Sequence, residues 1–244
     1  MVTTLYLVRH GETAGSETKR YKGSIDVPLS ENGAEQVKAS SLLIQEYLGK
    51  AYFSKHMSYL KEIHKSSDYS TDEQKAETER SAEGLRNSKD SGLQAVYTSN
   101  LSRAVRSAGI IAEPYSLKPV EIPDLRERSF GLWEGMTFTE IKEKYPEEFE
   151  GWANDPLRYS PIEGESTIAV KERVIPWLAK ILEGHKGDNI SVVAHGGVNR
   201  IILCHVLGMP LENIFRIEQD YAAVNIIEFW DKYPVVKLIN GGHR

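Results

Sequence analysis

The stretch Leu5-Tyr6-Leu7-Val8-Arg9-His10-Gly11-Glu12-Thr13 constrains the fold of this chain more than any other, because a short apolar run ends abruptly in arginine, histidine and glycine. Apolar side chains on both alternating faces are the pattern of a parallel strand buried on both sides, and such strands open at their C-terminal ends into ligand crevices. His10 therefore sits at a crevice mouth. A neutral imidazole is a nucleophile near neutral pH, a guanidinium forks onto phosphate oxygens, and glycine admits close backbone approach. The combination suits phosphoryl transfer through a histidine, although one such tripeptide alone also fits a strand that merely ends in a polar turn.

The pattern recurs. Asn189-Ile190-Ser191-Val192-Val193-Ala194-His195-Gly196-Gly197 is again an apolar strand ending in His-Gly, and the residues from Val198 to Leu207 follow with helical spacing. Right-handed crossovers put both strand ends on one edge of a parallel sheet, so His10 and His195 can face a common pocket. Between them, Ala95–Ser99 reads as another strand and leads into a helix whose first turn carries Arg103, a favourable place for an anion. The loop Leu125–Gly135 sets Glu127 among apolar and aromatic residues, a setting that favours the protonated carboxyl a general acid needs.

With these four segments the chain resembles the histidine phosphatase superfamily, the group that includes the cofactor-dependent phosphoglycerate mutases. The likeness runs from Thr4 to about Ile44 and from Leu93 to about Leu207, with a weaker tail. It implies a three-layer α/β/α sandwich around a mostly parallel sheet, with His10 as phosphorylated nucleophile, Glu127 as proton donor and His195 as second catalytic histidine. Arg9, Arg103, Ser16 and Gly196 are the implied substrate-binding set. In the implied reaction one ring nitrogen of His10 attacks phosphorus in line while the other donates its hydrogen to a fixed acceptor. The arginines and His195 surround the equatorial oxygens, and Glu127 protonates the departing alcohol and then activates water. Neither metal nor cofactor is called for, and no clustered Cys, His or Asp spacing of metal-site type is evident. His195-Gly196-Gly197 and the tract from Phe130 to Ser166 look like the phosphatase branch, especially bacterial α-ribazole-phosphate phosphatases; the mutases' long segment after the proton-donor loop has no evident counterpart. One departure stands out: Gly15-Ser16 occupies the place of the usual Trp-Asn, leaving a hydroxyl where relatives carry an amide.

Composition fits an enzyme of this kind. The chain has 244 residues, 40% hydrophobic and 27% charged, enough for one domain with an elaboration. Its net charge of −5 offers no general attraction to nucleic acid or an anionic membrane, so attraction for a small phosphorylated substrate has to be local. Cys204, the single cysteine, reads as a core thiol. The start carries no basic-then-apolar signal and no segment suits a bilayer, which makes the cytoplasm the expected location.

Strands and helices alternate along the chain. Ser30 caps a helix that buries Ala34, Val37, Ser41, Ile44 and Leu48; Thr137 and Glu140 form a capping box before a helix that Pro146 stops. Ser166 caps another, with Val170, Val174, Trp177 and Ile181 as its stripe and a kink expected at Pro176. Strands near 118–122, 223–230 and 235–240 complete the sheet, the last two as a hairpin that makes one edge antiparallel. Residues 49–92 are expected to form a charged, helical insertion into the single domain 1–244, with an apolar first part and a polar stretch from Ser70 to Ser91. A solvated excursion, a substrate lid and a contact between copies in a homodimer are the readings of it. His56, His64, His185 and His205 read as surface histidines, and so does His243, although in this family it could drape over the pocket. Arg126 and Arg128 flank Glu127, where one could reach substrate, but surface salt bridges are the commoner fate; Trp133 and Trp152 could wall the pocket, but core packing is expected, and Glu12 is expected to support its loop. Two functional classes follow: an active phosphomonoesterase, with phosphoglycerate mutase as a variant, and a non-catalytic scaffold that uses the insertion.

Overall fold

The computed structural model describes residues 1–64 and 92–242. The polar half of the insertion and His243 lie outside the described residues. Six strands form one sheet: β1 (Thr3–Arg9), β2 (Ala95–Thr98), β3 (Val120–Glu121), β4 (Asn189–Ala194), β5 (Val224–Phe229) and β6 (Pro234–Gly241). Their order is β3-β2-β4-β1-β5-β6. The first four are mutually parallel, whereas β5 runs antiparallel to β1 and β6 antiparallel to β5. The hairpin at the edge turns through Asp231–Tyr233, where the Trp230 amide donates to the Tyr233 carbonyl.

Strand alternation explains the layers. In β1, Leu5 and Leu7 enter one core while Tyr6 and Val8 enter the other, because successive side chains leave opposite faces. The first core is completed by α5 (Thr167–Gly184) and α6 (Gly196–Leu207) through Val170, Val174, Trp177, Ile201 and Ile202. The second is completed by α1 (Glu31–His64) and α2 (Ser102–Ala112) through Val37, Ile44, Leu48, Ala108 and Ile111. Helices thus cover both faces of an α/β sheet, as the alternation of elements requires. The short helices α3 (Phe138–Lys144) and α4 (Pro146–Asn154) lie in the connection between β3 and α5.

Most caps act as anticipated. The Ser30 hydroxyl accepts from the Gly33 amide, Thr137 and Glu140 close a capping box, and the Ser166 hydroxyl accepts from the Ala169 amide. Pro146 differs in part: it follows the end of α3 but also opens α4, where a missing N–H costs nothing. Helix α5 continues on both sides of Pro176. The insertion has no break at Gly49. Helix α1 reads straight through it to His64, with Lys50 paired to Glu46 one turn back, since a single helical glycine costs only about 1 kcal/mol.

The start of α1 packs directly on the loop after β1. A Cβ added to Gly33 would lie 2.0 Å from the Glu12 carbonyl oxygen, and one added to Gly11 would lie 2.2 Å from the Gly33 oxygen. Both glycines are required by this backbone contact. Gly33→Ala is expected to push α1 off the loop and lower stability by about 1–3 kcal/mol, read as a reduced urea midpoint.

Candidate active site

Parallel pairing of β1 with β4 sets Arg9 opposite Ala194, and the His10 amide donates to the Ala194 carbonyl at 3.0 Å. The residues that follow in each strand are then neighbours across the sheet edge. The His10 and His195 rings meet edge to face, with centroids 5.0 Å apart. His10 Nδ1 lies 2.7 Å from the Gly11 carbonyl oxygen, which can only accept, so Nδ1 carries the hydrogen and Nε2 keeps its lone pair. His195 Nε2 meets the Ser99 hydroxyl at 2.7 Å, while its Nδ1 is buried without a protein partner. With Ser99 donating to Nε2, the hydrogen sits on Nδ1, which has no protein partner.

Two arginines flank the pair, Arg103 buried and Arg9 partly buried. The Arg103 guanidinium donates to the carbonyls of Gly23 and Ile25, 2.7 Å each, so its charge is held by dipoles rather than by a counterion. Arg9 donates from Nη1 to the Gln219 carbonyl at 2.6 Å and lies 4.0 Å above the Tyr221 ring, with its Nε buried and unpartnered. The loop that grips Arg9 is pinned by a reciprocal amide pair: Gln219 and Asn225 exchange two hydrogen bonds of 2.9 Å, and Asn225 also donates to the Leu7 carbonyl.

Glu127 is half-buried. Its Oε1 accepts from the Arg128 amide at 3.0 Å and its Oε2 from the Gly197 amide at 3.1 Å, at the N-terminus of α6. The expected apolar enclosure is therefore replaced by two backbone donors that aim the carboxyl group. Gly197 is the contact point, since a Cβ there would lie 2.5 Å from Oε1.

A cavity of about 290 Å³ unites these groups. Arg9, His10, Arg103, Glu127 and Gly196 line it, as expected; His195 stands immediately behind His10, fully buried. Ser16 does not line it, and its hydroxyl donates to the Thr13 carbonyl at 2.7 Å. Arg20, Lys22, Arg128 and Arg200 join Arg9 and Arg103 on the wall beside the Glu127 carboxylate, with Arg20 itself paired to Glu140. The local attraction that a chain of net charge −5 needs is present here. Sequence reading did not single out Lys22, Ser99, Gln219 or Tyr221. Each comes from a loop whose own spacing carries no signal.

Other positions also resolve. Arg128 makes no surface salt bridge; it is buried and braces the loop through the Glu165 and Tyr159 carbonyls and the Thr167 hydroxyl. Arg126 bonds Asn100 and the Ser24 carbonyl. Trp133 packs in the core and Trp152 lines the cavity. Glu12 accepts from Asn32 and so supports its loop. His205 is exposed, but His185 is bonded between Tyr97 and Asp188 and only partly exposed. Cys204 is a free, buried thiol whose burial raises its pKa. Among the described residues, no three His, Cys, Asp or Glu side chains come together as a metal site would require, and no helix is long and apolar enough to cross a membrane.

Burial holds both His10 and His195 well below the usual imidazole range. Arg9 and Arg103 add to this at His10, and His10 with the same two arginines adds to it at His195. Both rings are therefore neutral at neutral pH, as a nucleophile must be. The unfolded chain binds protons near the ordinary histidine value of about 6.5 and the folded chain binds them only lower, so stability is complete above that value and falls as the pH drops below it. The urea midpoint should hold steady above neutrality and decline from about pH 6.5 toward pH 5, and His195→Asn should flatten that decline. Ser99→Ala releases the His195 tautomer and should lower kcat by about 10-fold in steady-state assays. It should also lower the melting temperature, with a loss of about 1–3 kcal/mol of stability, because the buried His195 Nε2 and the Leu101 amide lose their partner.

The description of the matching family is the histidine phosphatase superfamily (branch 1), and its model covers residues 5–61 and 68–241. The chain is 28% identical to phosphoserine phosphatase 1 of Hydrogenobacter thermophilus over 97% of its own length and 91% of that protein's. It is 25% identical to the adenosylcobalamin/alpha-ribazole phosphatase of Escherichia coli, covering 97% of this chain and 95% of the other. A solved structure titled as a putative alpha-ribazole-5'-P phosphatase from Escherichia coli shares the fold with a TM-score of 0.74 at 24% identity, across 98% of this chain and 96% of that one. The chain belongs to the histidine phosphatase superfamily and is a phosphoric monoester hydrolase acting on a small phosphorylated metabolite.

Proposed function

We propose that the chain hydrolyses a phosphomonoester whose alcohol carries an apolar ring, α-ribazole 5'-phosphate being such an ester, through a phosphohistidine on His10. The observation that carries the substrate class is the lining of the cavity. Beside the cationic groups stand Phe130, Trp152, Val170, Ile201, Ile214 and Phe215, more apolar surface than a small zwitterion such as phosphoserine can use. The adenosylcobalamin/alpha-ribazole phosphatase relative supports the same class.

In this reading His10 Nε2 attacks phosphorus in line, forming the N–P bond as the ester P–O bond breaks. Arg9, Arg103, His195 and the Gly196 backbone surround the three equatorial oxygens and stabilise their charge. Glu127 gives its proton to the departing alkoxide, then takes one from the water that attacks phosphohistidine, and inorganic phosphate leaves. Ser16 drops out of the binding set because its hydroxyl is committed to Thr13. The whole chain acts as one catalytic domain, a reading supported by a family match from residue 5 to residue 241 in which only 62–67 are unmatched, and the charged segment 49–92 is peripheral to its chemistry. The single buried cysteine is in keeping with a cytoplasmic location, and a mass measurement in solution decides on the homodimer.

Assays with chelator present test the reading. His10→Ala should lower turnover of p-nitrophenyl phosphate by about 10³-fold or more and abolish the acid-labile phosphoenzyme; label that persists in the variant sinks the nucleophile assignment. Glu127→Gln should cost alkyl esters about 10²-fold and activated aryl esters less, and equal losses would remove Glu127 as general acid. Across a panel of esters, α-ribazole 5'-phosphate should show the highest kcat/KM. A preference for phosphoserine would reassign the substrate, isomerised phosphoglycerate would reassign the chain to the mutases, and inactivity on all of them would favour the scaffold.

A further inference from the structure

Lys22 is a cation on the cavity wall that the reaction described above leaves without a task. Its ammonium donates to the Thr13 hydroxyl and the Ala14 carbonyl, 2.6 Å each, and an ammonium has a third hydrogen to give. Among the described residues no carboxylate lies within ion-pair distance of it. Both acceptors belong to the loop that follows His10, so Lys22 is tethered beside the nucleophile rather than free to swing into solvent. The same loop holds Ser16, whose hydroxyl is spent on Thr13.

We propose that Lys22 binds the phosphoryl group directly, its third N–H and its charge supplying the loop donor that Ser16 does not. The inference rests on the phosphatase reading and extends it: the phosphate is held by three cations from three separate segments, Arg9, Lys22 and Arg103. Partial burial, followed by the nearby Arg103, lowers the Lys22 pKa, against which the charges of Glu17 and Glu12 act. A cation in that position gains from an anion that enters the cavity and neutralises the repulsion.

Lys22→Gln removes the charge while leaving a slightly shorter polar side chain with N–H donors directed at Thr13 and Ala14. Titration of the protein with inorganic phosphate should show the variant binding about 10- to 100-fold more weakly, the range of one charge-assisted hydrogen bond. The dependence of that binding on salt should also become shallower, which loss of a loop tether alone would not produce. Lys22→Arg keeps the charge and should retain more phosphate affinity than Lys22→Gln. Wild-type phosphate affinity in Lys22→Gln, or an affinity in Lys22→Arg no better than in Lys22→Gln, overturns the proposal and leaves the phosphohistidine reading intact. Undiminished turnover by His10→Ala would overturn that reading instead, without altering the phosphate titration of the Lys22 variants.

Discussion

Everything at the site depends on the register of one parallel strand pair. Because Arg9 stands opposite Ala194 and the His10 amide bonds the Ala194 carbonyl, the chain leaves β1 and β4 at the same height, and His10 and His195 emerge with their rings in contact. A slip of one residue would send one histidine to the other face of the sheet, since side chains alternate. Burial on both faces forbids that slip. Leu5 and Leu7 belong to one core and Tyr6 and Val8 to the other, so hydrophobic packing on two sides sets the geometry of the chemistry at the strand ends.

The second constraint is electrostatic. Arg103, buried, and Arg9, partly buried, have their guanidinium groups on backbone carbonyls, not on carboxylates. Pairing each with Asp or Glu would satisfy burial more completely but would fill the place of the ligand. Carbonyl dipoles hold the charges in position and leave net positive potential in the cavity, so an entering phosphate meets groups that need little reorganisation. Burial first, and then the same positive charges, keep both histidines neutral.

The supports of these groups come from far along the chain. Gln219 and Asn225 lock a loop whose Gln219 carbonyl and Tyr221 ring seat Arg9, and Ser99 orients His195. Glu127 is aimed by the first turn of α6, the helix that begins right after His195. Glu127 and His195 are therefore mechanically coupled. A displacement of α6 would move both.

The local pattern of the chain determined the strands that end in His10 and His195, the capped helices, the antiparallel edge and the residues Arg9, Arg103 and Glu127. Each of these is written in short-range spacing that physical chemistry reads directly: alternation or apolar runs for strands, hydroxyl caps for helices, and polar residues stranded at the ends of apolar runs. Only the tertiary structure decided that Ser16 turns back to Thr13, that Lys22 faces the cavity, that Arg128 is a buried brace, and that Ser99, Gln219 and Tyr221 orient the reacting groups. Those outcomes depend on which loops the sheet order brings together and on which acceptor each side chain then finds nearest, and neither is contained in the spacing of residues along the chain.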